Sequence, residues 1–522
     1  MVDTPLGVHV ECGLEATMRD GTILRADAYR PAGDGPWPVL LARTPYGRQD
    51  PGVLSRLDPA GAAARGYLVL IQDCRGRFGS DGEWEPLAHE HTDGHDTVGW
   101  AAELAGSDGH VAVYGPSYLG YTAWAATETR PPELCAAVTE FTWSDPHDGL
   151  ITRGGAEELG LVTQWTLTLG SNVLQRRYAN RPAELRRRLD ALNSALDRYP
   201  DGAATVRRLD LPRPEAGHRP AATVRVPTLT VAGWFDAFLQ GSLDNYLRAR
   251  DGGAPAALIV GPWSHDNQTS RIGETDFGPT AERSTLDDGR SVTARELDWL
   301  DRYLKPRSEA APPESPVLLF VMGVNEWRRF PVWPPDAVDV AWYLHTGGGL
   351  SADPPRADSP PDTFHHDAGD PVPTLGGALL LAPRFPAGPF DQRLVEKRED
   401  VLVYTSEPLR APLEVVGRIR VHLFADSTEW VARLCDVDLD GVSRNVTDGI
   451  LRTPYVDDPG RPREHVVDLW STAHVFLPGH RIRLQLTASC FPRWARHVAA
   501  AATRQSVYHD PARLSRIVLP VR

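Results

Sequence analysis

The sequence predicts an α/β protein with a mostly parallel sheet, a helical insertion and a C-terminal β-sandwich. In the first 144 residues, and again from 224 to about 305, apolar runs that favour strands alternate with helical segments. Continuous apolar runs are typical of strands buried on both faces, as in parallel sheets. Beyond a proline-rich stretch, short β-prone runs are separated by Gly, Pro and Asp clusters. A chain of 522 residues also exceeds what one core usually holds, so several domains are expected.

The first part of the α/β core is predicted to span residues 1–144. An Asp-Gly pair at 20–21 supplies the positive φ that a tight hairpin turn needs. Apolar runs predict the strands, and a segment that begins near Asp96 or Thr97 has helical character. The predicted elements are strands at 38–43, 67–73 and 134–141 and a helix at 96–104.

A helical insertion is predicted at 145–221, before the second part of the core at 222–306. In the insertion the strand signal disappears and two segments carry helical spacing, at 157–178 and 182–199. Strand and helix alternation then returns, with an amphipathic helix at 292–304. Because the insertion separates two strands that end at one edge of the sheet, it is expected to cover that edge.

The C-terminal domain is predicted to span 307–522, with the proline-rich stretch 306–316 marking the boundary. Short β-prone runs occur at 317–321, 413–421, 428–437 and 481–487. Runs of this length, separated by turn residues, predict an antiparallel sandwich of jelly-roll type.

One serine stands at a predicted strand-to-helix turn. A β-prone run from Val111 ends at Gly115, presents Ser117 and passes into a helical segment. This is the sequence form of a nucleophile elbow, a tight turn that lifts a hydroxyl out of the backbone. The usual pattern has glycine two residues after the serine, whereas here Leu119 stands there and Gly120 follows.

Two later strands end in the residues that would complete a catalytic triad. Asp236 follows an apolar strand at 226–235, and His265 follows another at 256–264. In parallel sheets, reactive groups cluster beyond the carboxyl ends of the strands, and the order Ser, Asp, His is that of α/β-hydrolases. Asp244 and Asp266 are rivals, but Asp244 lies in the following helix and Asp266 would point away from its neighbour His265.

These residue types suit acyl transfer to and from a serine. A serine hydroxyl needs a base within hydrogen-bond reach, and His265 is assigned that function. Asp236 would hold the imidazole in one tautomer and stabilise its charged form. The backbone N–H of Tyr118, directly after the nucleophile, would donate to the oxyanion.

The chain resembles the cocaine-esterase and X-prolyl dipeptidyl-peptidase group of serine hydrolases, which also includes the α-amino-acid ester hydrolases. The motifs that carry the resemblance cover nearly the whole chain: 43–47 (RTPYG), 73–82 (DCRGRFGSDG), 115–120 (GPSYLG), 233–236 (GWFD), 261–265 (GPWSH) and 370–377 (DPVPTLGG). The resemblance implies an α/β-hydrolase core with a helical cap domain and a C-terminal jelly-roll-like domain. It also implies that the Tyr46 hydroxyl is the second oxyanion donor, and that Trp165 and Phe238 line the acyl pocket.

Composition limits the partners. With 55 basic and 69 acidic residues, the net charge of −14 argues against nucleic acid and anionic membranes as partners. No secretory signal or membrane-spanning run is visible, and five scattered cysteines fit reduced thiols, so a cytoplasmic location is expected. The oligomeric state stays open, with a homodimer as one candidate.

Other segments carry residues that could bind a metal or form ion pairs. The segment 89–96 is rich in His, Asp and Glu, but it lacks the His-Glu-x-x-His spacing, so neither a metal nor a cofactor is expected. Arg75 and Arg77 are expected to bridge carboxylates near the site. Trp143 and Trp234 are expected in the core.

The predicted function is that of a serine hydrolase that cleaves a small-molecule ester or amide through an acyl-enzyme. Three alternatives stay open: an X-prolyl dipeptidyl-peptidase or α-amino-acid ester hydrolase, an acyltransferase on the same scaffold, and a non-catalytic binding protein. The intact triad argues against the last, and the short cap disfavours elaborate recognition of an amine.

Overall fold

A computed structural model describes residues 2–3, 7–198, 208–209, 211–215, 220–221, 223–305, 315–453, 461–496 and 503–522. Three predicted features lie partly outside the described residues: the proline-rich boundary, the end of the helix at 182–199 and the end of the insertion. Within the described ranges, no helix is both long and apolar enough to cross a membrane.

The first part of the chain builds strands and helices in alternation. These elements are β1 (Val2–Asp3), β2 (His9–Thr17), β3 (Ile23–Arg30), β4 (Trp37–Thr44), α1 (Pro51–Leu57), α2 (Pro59–Ala64), β5 (Leu68–Asp73), α3 (Glu90–Ala102), β6 (Ser107–Pro116), α4 (Tyr118–Thr129) and β7 (Leu134–Glu140). The predicted hairpin turn is present, where the N–H of Gly21 donates to the Met18 carbonyl at 2.8 Å. The three predicted strands are confirmed within one residue at each end.

Helix α3 begins six residues before its predicted start. Its first turns carry Glu90 and Asp93, which are buried and form ion pairs with Arg43 and Arg75. These tertiary contacts hold residues 90–95 in the helix although Gly94 lowers the local helix propensity. The predicted start at Asp96 or Thr97 is therefore wrong.

The insertion contains helices α5 (Leu159–Arg177) and α6 (Pro182–Asp197), close to their predicted bounds. The insertion was expected to be all-helical, and this expectation is wrong. A short hairpin of β8 (Thr152–Arg153) and β9 (Ala156–Glu157) precedes α5. Gly154 and Gly155 turn this hairpin at φ 52° and 83°. A Cβ at Gly154 would lie 1.8 Å from the Ile450 carbonyl oxygen, so the hairpin packs directly against the C-terminal domain.

The second part of the core returns to strands and helices. Its elements are β10 (Thr228–Phe235), α7 (Leu239–Asp251), β11 (Ala256–Ser264), β12 (Arg271–Ile272), β13 (Thr275–Asp276), α8 (Val292–Leu304), β14 (Val317–Val321) and β15 (Glu326–Phe330). The expectation that 317–321 belongs to the sandwich is wrong, because β14 pairs in parallel with β11. Every residue of β14 is buried, as a continuous apolar run in a parallel sheet requires.

The core sheet runs in the order β1-β2-β3-β5-β4-β6-β7-β10-β11-β14-β15 within the described residues. The strands from β5 to β14 are parallel to one another, and antiparallel strands extend the sheet at both ends. Strands β6, β10 and β11 therefore end at the same edge of the sheet.

The C-terminal domain is β-rich. Its elements are β16 (Val338–His345), β17 (Gly349–Ser351), β18 (Asp362–His366), α9 (Arg393–Glu396), β19 (Leu402–Ser406), β20 (Leu413–Ala425), β21 (Glu429–Val437), β22 (Ser443–Arg452), β23 (Arg463–Phe476), β24 (Arg481–Thr487), β25 (Thr503–Tyr508) and β26 (Arg516–Val521). These strands form a sheet separate from that of the core. The predicted fold class, an α/β core with a helical insertion and a jelly-roll-like C-terminal domain, is confirmed. The domain boundaries at 144, 221 and 306 stay predictions.

Candidate active site

Three strands of the core sheet end in the three predicted triad residues. Ser117 follows β6, Asp236 follows β10 and His265 follows β11. Loops at the carboxyl ends of parallel strands form the binding crevice of such sheets. The sheet therefore brings the three residues to one edge although they are far apart in sequence.

The turn at Ser117 is strained. Its backbone has φ 58° and ψ −126°, a conformation that costs roughly 1–3 kcal/mol for a residue with a side chain. Gly115 is required because a Cβ there would lie 2.6 Å from the Leu119 Cβ. Gly120 is required because a Cβ would lie 2.9 Å from the Gly115 carbonyl oxygen. The contact at Gly120 explains why the second glycine stands there.

His265 is held by Asp236. The imidazole Nδ1 and the carboxylate Oδ1 are 2.7 Å apart, and both side chains are buried. The other carboxylate oxygen accepts the Phe238 backbone N–H at 3.0 Å. Since an ionised carboxylate only accepts, Nδ1 carries the proton and Nε2 is left as the basic nitrogen. Of the rivals, Asp244 accepts from Gln240 and Asp266 is exposed.

Tyr46 lies in the loop after β4, in the wall of the same cavity as Ser117. The Trp165 indole N–H donates to the Tyr46 oxygen at 3.1 Å. An indole N–H can only donate, so the hydrogen of the phenol remains available for another acceptor. Burial raises the pKa of Tyr46, although the hydrogen bonds with Trp165 and Ser117 lower it. The phenol therefore stays protonated at neutral pH and can donate.

Tyr118 is the first residue of α4, directly after Ser117. Its phenol is fixed away from the cavity, because it donates to Glu90 at 3.0 Å and accepts the Leu87 N–H at 2.9 Å. The ring stacks on Trp165 with centroids 5.8 Å apart. What Tyr118 can offer the site is thus its backbone N–H, at the positive end of the helix dipole.

A cavity of about 1420 Å³ joins most of the predicted site residues. Its wall includes Tyr46, Ser117, His265, Trp165 and Phe238. The Phe238 ring stands edge-on to the His265 imidazole, with centroids 5.3 Å apart. Asp236 lies behind His265, where its carboxylate is shielded from solvent.

The sequence did not point to part of the cavity wall. A segment of the C-terminal domain, 379–387, contributes apolar side chains such as Leu380 and Phe385. Trp143, expected in the core, is buried and also lines the cavity, with its ring 5.0 Å from that of Phe238. The apolar run at 378–382 was the signal that could have indicated the C-terminal contribution.

The charged motifs near the site form a buried network. Arg75 pairs with Asp20 and Asp93, as expected. The same expectation for Arg77 is wrong, because its guanidinium donates to the carbonyls of Pro45 and Leu169.

The segment 89–96, which is rich in His, Asp and Glu, contributes to this network. Glu90 pairs with Arg43, and the His91 Nε2 lies 2.9 Å from Glu128.

Two family models match the chain. The model of the X-Pro dipeptidyl-peptidases of the S15 family matches residues 20–267, and the model of their C-terminal non-catalytic domain matches 310–507.

Individual relatives cover nearly the whole chain. Cocaine esterase of a Rhodococcus species is 33% identical, over 97% of both chains. An aminopeptidase from a marine sediment Thaumarchaeota archaeon has a similar structure, with a TM-score of 0.79, 25% identity and coverage of 100% of this chain and 98% of its own. A solved α-amino acid ester hydrolase gives a TM-score of 0.78 at 25% identity, with the same coverage. The chain therefore belongs to the serine hydrolase family that includes cocaine esterase and the S15 X-Pro dipeptidyl-peptidases.

Proposed function

We propose that this chain is a carboxylic ester hydrolase that acts on small-molecule esters, or on amides, through an acyl-enzyme. The observation that carries the proposal is the His265–Asp236 hydrogen bond of 2.7 Å, which lies at the same cavity as the strained turn at Ser117. Ser117 and His265 lie in the wall of one cavity. A nucleophile, a base and a group that orients the base are the minimum that serine hydrolysis requires.

Ser117 is the proposed nucleophile and His265 the proposed general base. The serine Oγ attacks the substrate's carbonyl carbon while its proton passes to the His265 Nε2. The imidazolium then gives this proton to the leaving alcohol or amine, the C–O or C–N bond breaks, and the acyl group stays on Ser117. Asp236 stabilises the imidazolium through its bond to Nδ1.

Deacylation repeats these steps with water. His265 takes a proton from the water as its oxygen attacks the acyl carbon. The proton then returns to the Ser117 Oγ as the acid product leaves. In both halves of the reaction the oxyanion would accept the Tyr46 O–H and the Tyr118 backbone N–H, donors that are in place before the charge develops.

The cavity favours esters without a free amine. A substrate ammonium is usually held by carboxylates, because an unpaired charge is costly to bury. Among the described residues of the cavity wall, the acidic ones are Asp50 and Asp266. The Asp50 carboxylate already caps α1 by accepting from Gly52 and Val53. An aminopeptidase or amino-ester hydrolase activity, suggested by the relatives' names, is the second candidate.

A labelling experiment combined with a substrate comparison tests the proposal. A fluorophosphonate is expected to modify the protein at Ser117 only, and Ser117→Ala is expected to stay unlabelled. p-Nitrophenyl esters of simple acids are expected to turn over faster than aminoacyl p-nitroanilides. Faster cleavage of the anilides would favour the second candidate. Acylation of an added alcohol would indicate a transferase. If the folded protein were not labelled, the proposed nucleophile would be contradicted.

Trp165 and Phe238 are proposed to line the acyl side of the cavity. Phe238→Ala and Trp165→Ala are expected to raise the ratio of kcat/KM for benzoate over acetate esters, on the order of 10-fold, because a hydrophobic pocket discriminates by the volume it offers. Trp165→Ala also removes the hydrogen bond to Tyr46, which should slow the hydrolysis of both esters by the same factor. The ratio of the two kcat/KM values cancels this common factor. Trp342→Ala, in the C-terminal domain, is the control. Folded variants that keep the original ratio would place the acyl group elsewhere.

A further inference from the structure

Arg77 is a buried cation in the wall of the active-site cavity. It lies in the loop between β5 and α3, and its side chain is 1% exposed. In the described part of the chain, no carboxylate forms an ion pair with it, and Asp73 is itself paired with Arg48. Burial lowers the pKa of Arg77 to about 10, so the guanidinium remains charged at neutral pH. A buried charge without a counter-ion is costly and calls for an explanation.

The hydrogen bonds of Arg77 connect two segments that hold Tyr46. Its Nε donates to the Pro45 carbonyl at 2.7 Å, one peptide before Tyr46. Its Nη1 donates to the Leu169 carbonyl at 3.4 Å, in helix α5. Leu169 lies one helical turn after Trp165, the residue that donates to the Tyr46 hydroxyl. One guanidinium therefore ties the backbone of Tyr46 to the helix that fixes its phenol.

Aromatic rings hold the guanidinium in place. The rings of Phe78 and Trp84 each lie 5.3 Å from its centre, within range of a cation–π contact. The neighbouring Arg75 shows the ordinary alternative, since it is paired with Asp20 and Asp93. Arg77 instead uses a planar fork of donors to hold two carbonyls, a geometry that a lysine ammonium does not reproduce.

We propose that Arg77 is a positioning residue for the oxyanion hole: by holding the Pro45 and Leu169 carbonyls together, it fixes the Tyr46 phenol relative to Ser117. This inference rests on the proposed role of Tyr46 as oxyanion donor. A donor contributes fully only when it is held in place before the charge develops, and a misplacement of about 1 Å can cost about 10²-fold in rate. Replacing Arg77 should lower kcat rather than raise KM, because the Tyr46 hydroxyl that it positions would donate to the oxyanion, which forms only after the substrate is bound.

The first test compares Arg77→Met with Arg176→Met. Arg176 also joins α5 to the loop of Arg77, through the Phe78 carbonyl at 2.6 Å and the Gly82 carbonyl at 3.4 Å, but it has no bond to the Tyr46 segment. Arg77→Met is expected to lower kcat for p-nitrophenyl acetate by about 10- to 100-fold with KM changed less than about 3-fold. Arg176→Met is expected to keep kcat within about 3-fold of the original. Equal losses in both variants would overturn the inference.

The second test is a double-mutant cycle with Tyr46→Phe. If Arg77 acts through the phenol, Arg77→Met should change kcat by less than about 3-fold once the hydroxyl is gone. Losses that multiply would show that Arg77 acts independently of Tyr46 and would overturn the inference. A Tyr46→Phe variant with normal kcat would instead contradict the proposed role of Tyr46, so the two failures are distinguishable.

Arg77→Lys keeps the cycle informative if Arg77→Met does not fold. The lysine keeps the charge but loses the fork that reaches both carbonyls. Its kcat is expected to lie between those of the original protein and the Tyr46→Phe variant, and its effect should again vanish when Tyr46 is replaced. A lysine variant with the original kcat would show that the charge alone suffices and that positioning by the fork is not required.

Discussion

Replacing Ser117, His265 or Asp236 is expected to abolish most of the esterase activity. Ser117→Ala and His265→Ala should each lower kcat by about 10⁴- to 10⁶-fold, because neither the nucleophile nor its base has a substitute at this edge of the sheet. Asp236→Asn should lower kcat by about 10⁴-fold, since an amide that donates to Nδ1 favours the wrong imidazole tautomer. The measurement is steady-state hydrolysis of p-nitrophenyl acetate.

Double replacements should lose little beyond the single ones, because the three residues act as a unit. Asp244→Asn is the matched control for Asp236→Asn, as the Asp244 carboxylate accepts from Gln240 and lies in α7. That control should retain its activity. Losses that multiply across the triad, or a Ser117→Ala variant with substantial turnover, would contradict the assignment.

Removing the Tyr46 hydroxyl is expected to have the next largest effect. Tyr46→Phe should lower kcat by roughly 10²- to 10³-fold, the usual loss for one oxyanion donor. The Tyr118 backbone N–H remains, which accounts for the residual rate. KM should change little because the oxyanion forms after binding. The variant should also bind a boronic acid, a mimic of the tetrahedral intermediate, more weakly.

Tyr404→Phe is the control for this variant. It removes a buried hydroxyl that donates to Asp362 at 2.8 Å in the C-terminal domain. Its kcat should equal that of the original protein. If Tyr46→Phe retained normal turnover and normal boronate affinity, another group would have to stabilise the oxyanion.

The core strands and the order of the site residues were predictable because their signals are local. Strands β10 and β11 are continuous apolar runs, each followed directly by one polar residue of the site. Helix α8 was predicted with the bounds that the structure has, because its apolar periodicity is contained in the segment itself. Local periodicity determines which segments are strands or helices wherever no distant contact opposes it.

Other features depended on contacts between distant segments. The early start of α3 follows from ion pairs with Arg43 and Arg75, which lie on and just after neighbouring strands. The partner of β14 could not be inferred either, because a buried apolar strand fits a parallel sheet or a sandwich equally well.

The fold class, the strand ends that carry Ser117, Asp236 and His265, and the glycines on either side of the turn at Ser117 could be read from the amino-acid sequence alone. Which further segments line the cavity depended on tertiary packing. The 379–387 segment reaches the cavity from a different domain, and Arg77 turns from the expected carboxylates to two backbone carbonyls. Whether a side chain is apolar or charged determines the kind of partner that it needs, and this can be read from the sequence. Which distant group becomes that partner depends on how the segments pack.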